Sequence, residues 1–322
     1  MSEFKPDMAH AHNIYGRLST SVLDELHPQG IPTIMTLHDL KPICPSYLML
    51  SKGLICEQCK GGRYHRAVIN KCHKGSYATS AVYALESWMN HALKKYDSVR
   101  CFVAPSRFLR DKCIEFGWAA EKIVYLPNFT DTQTIRSSTQ PGSYLLYLGR
   151  LSHEKGVKTV LSTLAELMGN IPLVVIGDGP ERANLEKLAD ERHLNVRSTG
   201  YLSGAALQDS LAWAKAVAMP SKWYENAPIS LLESSAYGKP VIGAHISGIP
   251  EIIDDGGNGF LFEPGNVAEL TLKIQCLTGM RDDALKAMGV AAREKVEREF
   301  SLGRHYTGLL EIYSNVLGKP CA

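Results

Sequence analysis

The stretch Pro220-Ser221-Lys222-Trp223-Tyr224-Glu225-Asn226-Ala227-Pro228-Ile229-Ser230-Leu231-Leu232-Glu233 comes after a short apolar run, Ala216-Val217-Ala218-Met219, and its reading decides the fold. The apolar run suits a buried strand. The residues after the run suit a helix with Asn226 as N-cap and Pro228 in the first turn, where a missing N–H costs little. Free backbone N–H groups at such a helix start form an anion site. Two carboxylates flank it, Glu225 before the helix and Glu233 about two turns in. A ligand with phosphate in its middle and hydroxyl-rich groups at both ends matches that layout, and a nucleotide-diphosphate sugar is such a ligand. The bland alternative is two solvated glutamates around an ordinary cap.

Outward from this stretch the chain alternates apolar runs with helical periodicity. Upstream, Tyr144-Leu145-Leu146-Tyr147-Leu148 reads as a central strand and is followed by Gly149-Arg150-Leu151-Ser152-His153-Glu154-Lys155-Gly156-Val157. Arg150 and Lys155 follow a strand end and suit a diphosphate clamp, and the glycines permit close backbone approach. Pro172 to Ile176 is the next strand and ends in Gly177-Asp178-Gly179-Pro180. A helix over Glu181 to Arg192, a strand over Val196 to Thr199 and a helix over Leu207 to Ala214 lead back to the opening stretch. Downstream come a strand at Lys239 to Ala244 and helices at Val267 to Leu277, Asp282 to Phe300 and Tyr306 to Leu317. Such alternation means a parallel sheet with helices on both faces.

The first third of the chain repeats the theme less completely. Met8-Ala9-His10-Ala11-His12 reads as a strand, Arg17 to Leu26 as a helix, and Pro32 to Leu37 as a strand ending at His38-Asp39. Ligands of open α/β sheets bind beyond the carboxyl ends of strands, which marks His38 as a functional candidate. For His10 and His12 a structural, strand-capping role competes. Tyr77 to Tyr96 carries Val82, Leu85, Met89, Leu93 and Tyr96 on one face, which predicts a core-facing helix. Cys101 to Ser106 and Ile123 to Asn128 read as strands, Arg107 to Glu115 as a helix, and Thr130 to Gly142 as a linker.

Between His38 and Tyr77 lie Cys44, Cys56, Cys59 and Cys72, half of the eight cysteines. One Cys-x-x-Cys pair with two outlying thiols suits a tetrahedral zinc site that would staple a long loop. Four free thiols is the other reading. The same loop is basic, with Lys60, Arg63, Arg66, Lys71 and Lys74, which suits an anionic acceptor or a membrane surface. The chain has 322 residues, 45% hydrophobic and 21% charged, enough for two domains. A formal net charge of +2 argues against a nucleic-acid binder. The cysteines and the start of the chain predict a cytoplasmic protein, without a signal peptide or a membrane span.

Three segments carry a family resemblance: Glu225 and Glu233 at their spacing, Gly149-Arg150-Leu151 with Glu154-Lys155-Gly156, and the pair His10-Ala11-His12 and Thr36-Leu37-His38-Asp39. Together they resemble the retaining glycosyltransferases of family four (glycosyl transferases group 1). The resemblance implies a GT-B fold, two facing Rossmann-like α/β domains: an acceptor-side domain over 1–129, onto which a C-terminal helix at 304–322 returns, and a donor domain over 130–303. It implies catalytic roles for His38, Arg150, Lys155 and Glu225. Gly149, Arg150, Lys155, Gly177, Gly179, Asn226, Ala227, Ile229 and Glu233 would bind the donor, a nucleotide-diphosphate sugar. His12, Asn13 and Asp39 would serve a glycan or lipid-linked acceptor. No cofactor is implied for the chemistry. The resemblance begins inside the first domain, whose opening strand and glycine-rich turn are not seen, so an inactive nucleotide-sugar-binding fragment or partner subunit is one alternative. An epimerase on the same fold is another. Peripheral attachment to the inner face of the plasma membrane is the expected location.

Overall fold

The computed structural model describes residues 4–15, 18–138, 142–168 and 171–318. It divides into an N-terminal unit, Met1–Asn128 with Gly303–Ala322, and a C-terminal unit, Phe129–Leu302.

In the N-terminal unit β1 (Ala9–His12), α1 (Ser21–Leu26) and β2 (Thr33–Thr36) come first. A hairpin of β3 (Leu50–Ser51) and β4 (Leu54–Ile55), then α2 (His65–Ile69) and α3 (Tyr77–Ala92), fill the long insertion. β5 (Val99–Ala104), α4 (Arg107–Glu115) and β6 (Ile123–Tyr125) complete the first pass. The sheet runs β1-β2-β5-β6, with every neighbouring pair parallel. The helix expected from Arg17 starts at Ser21, and Arg17 itself lies outside the described residues.

The fold corrects the reading of α3. Its buried residues are Ser80, Ala84, Ser87 and Asn90, whereas Val82, Leu85, Met89 and Leu93 are exposed. Small side chains let α3 lie close to α2, and two of the polar ones are hydrogen-bonded, while the Ser87 hydroxyl has no partner among the described residues. Ser80 Oγ accepts from His73 N–H at 3.0 Å, and Asn90 Oδ1 accepts from Thr20 Oγ1 at 2.7 Å. Tyr96 lies beyond the helix, buried in a 3-10 turn.

In the C-terminal unit the order is β7 (Tyr144–Leu148), α5 (Val157–Glu166), β8 (Leu173–Ile176), α6 (Arg182–Glu191), β9 (Val196–Gly200), α7 (Gly204–Ala212) and β10 (Ala214–Met219). Next come α8 (Ile229–Ala236), β11 (Val241–Ala244), α9 (Ile249–Ile252), β12 (Gly259–Phe262), α10 (Val267–Thr278) and α11 (Asp282–Glu299). The six strands are parallel in the order β12-β11-β10-β7-β8-β9. This is the doubly wound order, and strand succession reverses between β7 and β10. All four residues of β8 and of β11 are buried, as continuous apolar strands covered on both faces should be.

The last helix, α12 (Leu302–Leu317), belongs with the N-terminal unit. Its Ile312, Leu309, Tyr313 and Val316 pack with Ile34, Cys101, Val103 and Leu126. Among the described residues no helix is long and apolar enough to cross a membrane.

Candidate active site

The reversal between β7 and β10 places two loops side by side, 149–156 after β7 and 220–228 after β10. In open α/β sheets this crevice is where ligands bind. Backbone hydrogen bonds tie the loops together: Lys222 N–H donates to Glu154 C=O at 2.8 Å. The loop after β8 joins them, since Leu151 N–H donates to Asp178 C=O at 2.9 Å and Glu181 N–H to Leu151 C=O at 3.0 Å. Two glycines make such proximity feasible. Gly156 has φ +73°, and a Cβ there would sit 1.9 Å from the Pro220 carbonyl oxygen. Gly177 has φ +140°, and its Cβ would meet the Gly149 carbonyl oxygen at 1.9 Å. These roles are steric: only a residue without a side chain lets the strand ends approach.

Glu225 is the centre of the crevice. It is 7% exposed, and its Oε1 accepts from Lys155 Nζ at 2.6 Å, Ser221 Oγ at 2.6 Å and Trp223 Nε1 at 3.0 Å. The Lys155 ammonium also lies 5.3 Å from the centre of the Trp223 ring. From the other side the loop after β11 supports the Glu225 backbone. Ser247 Oγ donates to Glu225 C=O at 2.6 Å and Gly248 N–H donates to it at 3.1 Å. Ser247 adopts the left-handed region at φ 51°, a local strain of the kind that accumulates at functional sites.

The remaining candidates lie on the loops after β7, β8 and β10 and on α8. Arg150 is exposed, and its guanidinium has no partner among the described residues, while its carbonyl is held by Tyr147 OH at 2.8 Å. Gly149 lies in the loop after β7, Gly177 and Gly179 in the loop after β8. Asn226 and Ala227 lie in the loop before α8, and Ile229 is that helix's first residue. The N-cap is Pro228 and not Asn226, with no side-chain cap bond. Pro228 holds an extended ψ of 115° and so becomes the residue before the first helical one. The N–H groups of Leu231 and Leu232 both turn to the Pro228 carbonyl. Those of Ile229 and Ser230 have no partner among the described residues. Glu233 is half-buried on α8, its carboxylate has no hydrogen-bond partner among the described residues, and burial raises its pKa.

In the N-terminal unit the structure gathers a histidine cluster at the carboxyl ends of β1 and β2. His12 Nδ1 and His38 Nε2 share a hydrogen bond at 2.8 Å, and the rings of His10 and His12 stand 4.2 Å apart. His10 is held at both ring nitrogens, by Tyr313 OH and by Thr36 Oγ1, each at 2.7 Å. His10 thus takes the structural role, and its outer partner comes from the returning helix α12. Burial, and then the neighbouring histidines, push the His10 pKa down to about 4. Burial also lowers His12 and His38. The cluster is therefore neutral at pH 7. Asn13, His38 and Asp39 line one shallow crevice with Tyr15 and Pro42. Asp39 ties its own loop by accepting from Lys41 N–H at 2.8 Å, and burial raises its pKa.

Cys44, Cys56, Cys59 and Cys72 lie near enough to one another for their charges to interact. Among the described residues no group of three or more His, Cys, Asp or Glu side chains takes an arrangement that could hold a metal ion, and Cys44, Cys56, Cys59 and Cys72 are free thiols. Cys44 Sγ pairs with Ser46 Oγ at 3.3 Å, and Cys59 is buried with Tyr64, Ala67 and Ala84 in a satellite core. Cys72 packs against the same small core as Cys59. Burial pushes the Cys59 thiol up to about 12, so it stays protonated. The insertion is held by that small core and by ion pairs such as Lys112–Glu57 at 2.8 Å.

Four residues that the site uses escape a reading of the sequence: Ser221, Trp223, Ser247 and Tyr313. Ser221 and Trp223 sit at i−4 and i−2 from Glu225, a spacing without periodic meaning in a loop. Ser247 and Tyr313 reach the site only through tertiary packing.

Residues 131–295 match the family model described as Glycosyl transferases group 1, and residues 1–134 match that of Glycosyltransferase Family 4. Over 157 residues the chain is 33% identical to the sulfoquinovosyl transferase SQD2 of Arabidopsis thaliana, covering 48% of this chain and 30% of that protein. The glycogen synthase of Mycobacterium tuberculosis (strain CDC 1551 / Oshkosh) is 26% identical over 96% of this chain and 69% of its own length. The chain thus spans about a third of the Arabidopsis protein and about two thirds of the mycobacterial one. The crystal structure of Anabaena Alr3699/HepE in complex with UDP and glucose is similar in fold, with a TM-score of 0.72 at 18% identity, covering 96% of this chain and 78% of that one. With an α/β fold of the GT-B type and both family models matched in succession, the chain belongs to the group 1 glycosyltransferases of family four.

Proposed function

We propose that this chain transfers a hexosyl-type sugar from a nucleotide-diphosphate sugar to a glycan or lipid-linked acceptor, with retention of configuration, in the synthesis of a cell-surface polysaccharide. The observation that carries the reading is the crevice at the strand-order reversal, where Lys155 meets the buried Glu225 at 2.6 Å. In this reading Arg150, Lys155 and the start of α8 take the diphosphate, Glu233 accepts from ribose hydroxyls, and the free oxygen of Glu225 accepts from the sugar. The bond from the anomeric carbon to the phosphate oxygen breaks, and a bond to the acceptor oxygen forms on the same face. The acceptor's proton passes to the departing diphosphate, whose charge the two cations stabilise. His38, with His12, Asn13 and Asp39, serves the acceptor side. His12 and His38, neutral and mutually hydrogen-bonded, are suited to binding hydroxyls without adding charge.

The test is thermal stabilisation across a panel of uridine, guanosine and adenosine diphosphate sugars, repeated with Glu233→Ala and Lys155→Ala. One donor at a hundred times its Kd should stabilise the protein by about 2.7 kcal/mol. Both variants should lose most of that gain. A panel without any stabilising donor would refute the reading. Conversion of a bound donor to its epimer without an acceptor would move it to the epimerase alternative.

The α3 face favours a membrane-side location, in the cytoplasm at the inner face of the plasma membrane. Val82, Leu85 and Trp88 are 66%, 56% and 57% exposed. Exposed basic residues lie at both ends of the helix, Lys71 and Lys74 before it and Lys94 after it, and Lys71 lies 4.3 Å over the Tyr77 ring at the head of the helix. An apolar helical face with a basic border suits an anionic bilayer, at about 1 kcal/mol per basic residue near the surface. Phosphatidylglycerol vesicles should sediment the protein, and Leu85→Glu with Trp88→Glu should weaken this at least about tenfold. Equal partition of the parent and the double variant would discount the surface.

A further inference from the structure

The hydrogen bonding of Glu225 is lopsided. Oε1 receives Lys155, Ser221 and Trp223, while Oε2 receives no donor among the described residues. A carboxylate oxygen offers about two lone-pair sites. Oε1 is therefore over-subscribed, and one donor can leave without abandoning the charge. Ser221 Oγ and Trp223 Nε1 are short, fixed donors in the same loop as Glu225. Lys155 comes from the loop after β7 on a long, flexible stem, and its side chain is 24% exposed. Of the three, Lys155 is the one able to move.

We propose that Ser221 and Trp223 are positioning residues that let Lys155 pass from Glu225 to the diphosphate of a bound nucleotide. The inference rests on the donor-site reading above and adds the event that binding requires. While the crevice holds no anion, Lys155 is neutralised by Glu225. When a diphosphate arrives, the ammonium moves to it, and Glu225 keeps its charge because two neutral donors remain on Oε1. Without those donors, withdrawing Lys155 would strand a buried carboxylate, and a buried charge left unpaired is strongly unfavourable. The lysine would then stay on Glu225 and the diphosphate would bind poorly.

Titration calorimetry with uridine diphosphate and guanosine diphosphate tests this on the full chain. Ser221→Ala/Trp223→Phe should weaken binding of whichever diphosphate the parent takes by at least about tenfold, or 1.4 kcal/mol. Adding Glu225→Gln to that double variant removes the competing charge, and affinity should return to within about threefold of the parent. A purely structural role for Ser221 and Trp223 predicts no such recovery. Glu225→Gln alone should bind at least as tightly as the parent, which tests the competition even if the double variant folds badly. Parent-like affinity in the double variant, or no recovery in the triple one, would overturn the hand-over. Failure of the parent to bind either diphosphate would instead remove the donor reading, and this inference with it.

Discussion

Glu225→Ala should lower sugar transfer by about 10² to 10³ while leaving nucleoside diphosphate binding intact or tighter. The factor is the scale on which one preorganised electrostatic group is felt in a transition state. Two opposed effects lie behind it. On the proposed reading the carboxylate that orients the sugar is lost, so a bound donor keeps its diphosphate and ribose contacts but its sugar is no longer held by Glu225. Lys155 is released from its 2.6 Å contact with Glu225, which favours the diphosphate. Stability should fall modestly, by about 1–3 kcal/mol, because Ser221 and Trp223 lose their acceptor. Lys155 is partly exposed and regains water. Steady-state kinetics with a radiolabelled donor, set beside diphosphate titration, separates the two effects. Equal loss of diphosphate binding and transfer would mean that Glu225 shapes the whole crevice and does not act on the sugar.

Gly177→Val should cost about 4 kcal/mol or more, the range reached only by severe core or backbone lesions. At φ +140° a β-branched residue is strained before any neighbour is considered. Its Cβ would also lie 1.9 Å from the Gly149 carbonyl oxygen, and both partners are backbone, so neither can rotate away. The strand ends must separate, which takes Arg150 and Lys155 with them. For a unit of this size the loss corresponds to about 10 °C or more in Tm. Scanning calorimetry should show the fall together with loss of diphosphate-induced stabilisation. An unchanged melting curve would mean that the turn repacks freely and positions nothing.

The doubly wound C-terminal sheet was legible because its strands are buried on both faces and appear as short apolar runs. The loops after β7 and β10 were legible because their charged residues interrupt those runs at strand ends. Periodicity failed at α3 for a physical reason. A helix with Val82, Leu85 and Met89 on one stripe announces an apolar face but not what covers it, and close packing against α2 selected the Ser80, Ala84 and Ser87 side. Asn226 met the compositional preference for an N-cap, but the extended backbone of Pro228 began the helix later. The convergence of Ser221 and Trp223 on one carboxylate oxygen depends on side-chain rotamers in a loop, which no repeating pattern encodes.

The return of α12 orders events on the ribosome. Residues 129–302 emerge as one continuous segment, so the C-terminal unit has its complete set of strands before α12 is made. The N-terminal sheet, although made before that unit, lacks Ile312, Val316 and the tyrosine that anchors His10 until α12 emerges. The N-terminal sheet therefore gains its full interior after the C-terminal one, and it must wait through the synthesis of residues 129–302 with Ile34 and Val103 only partly covered.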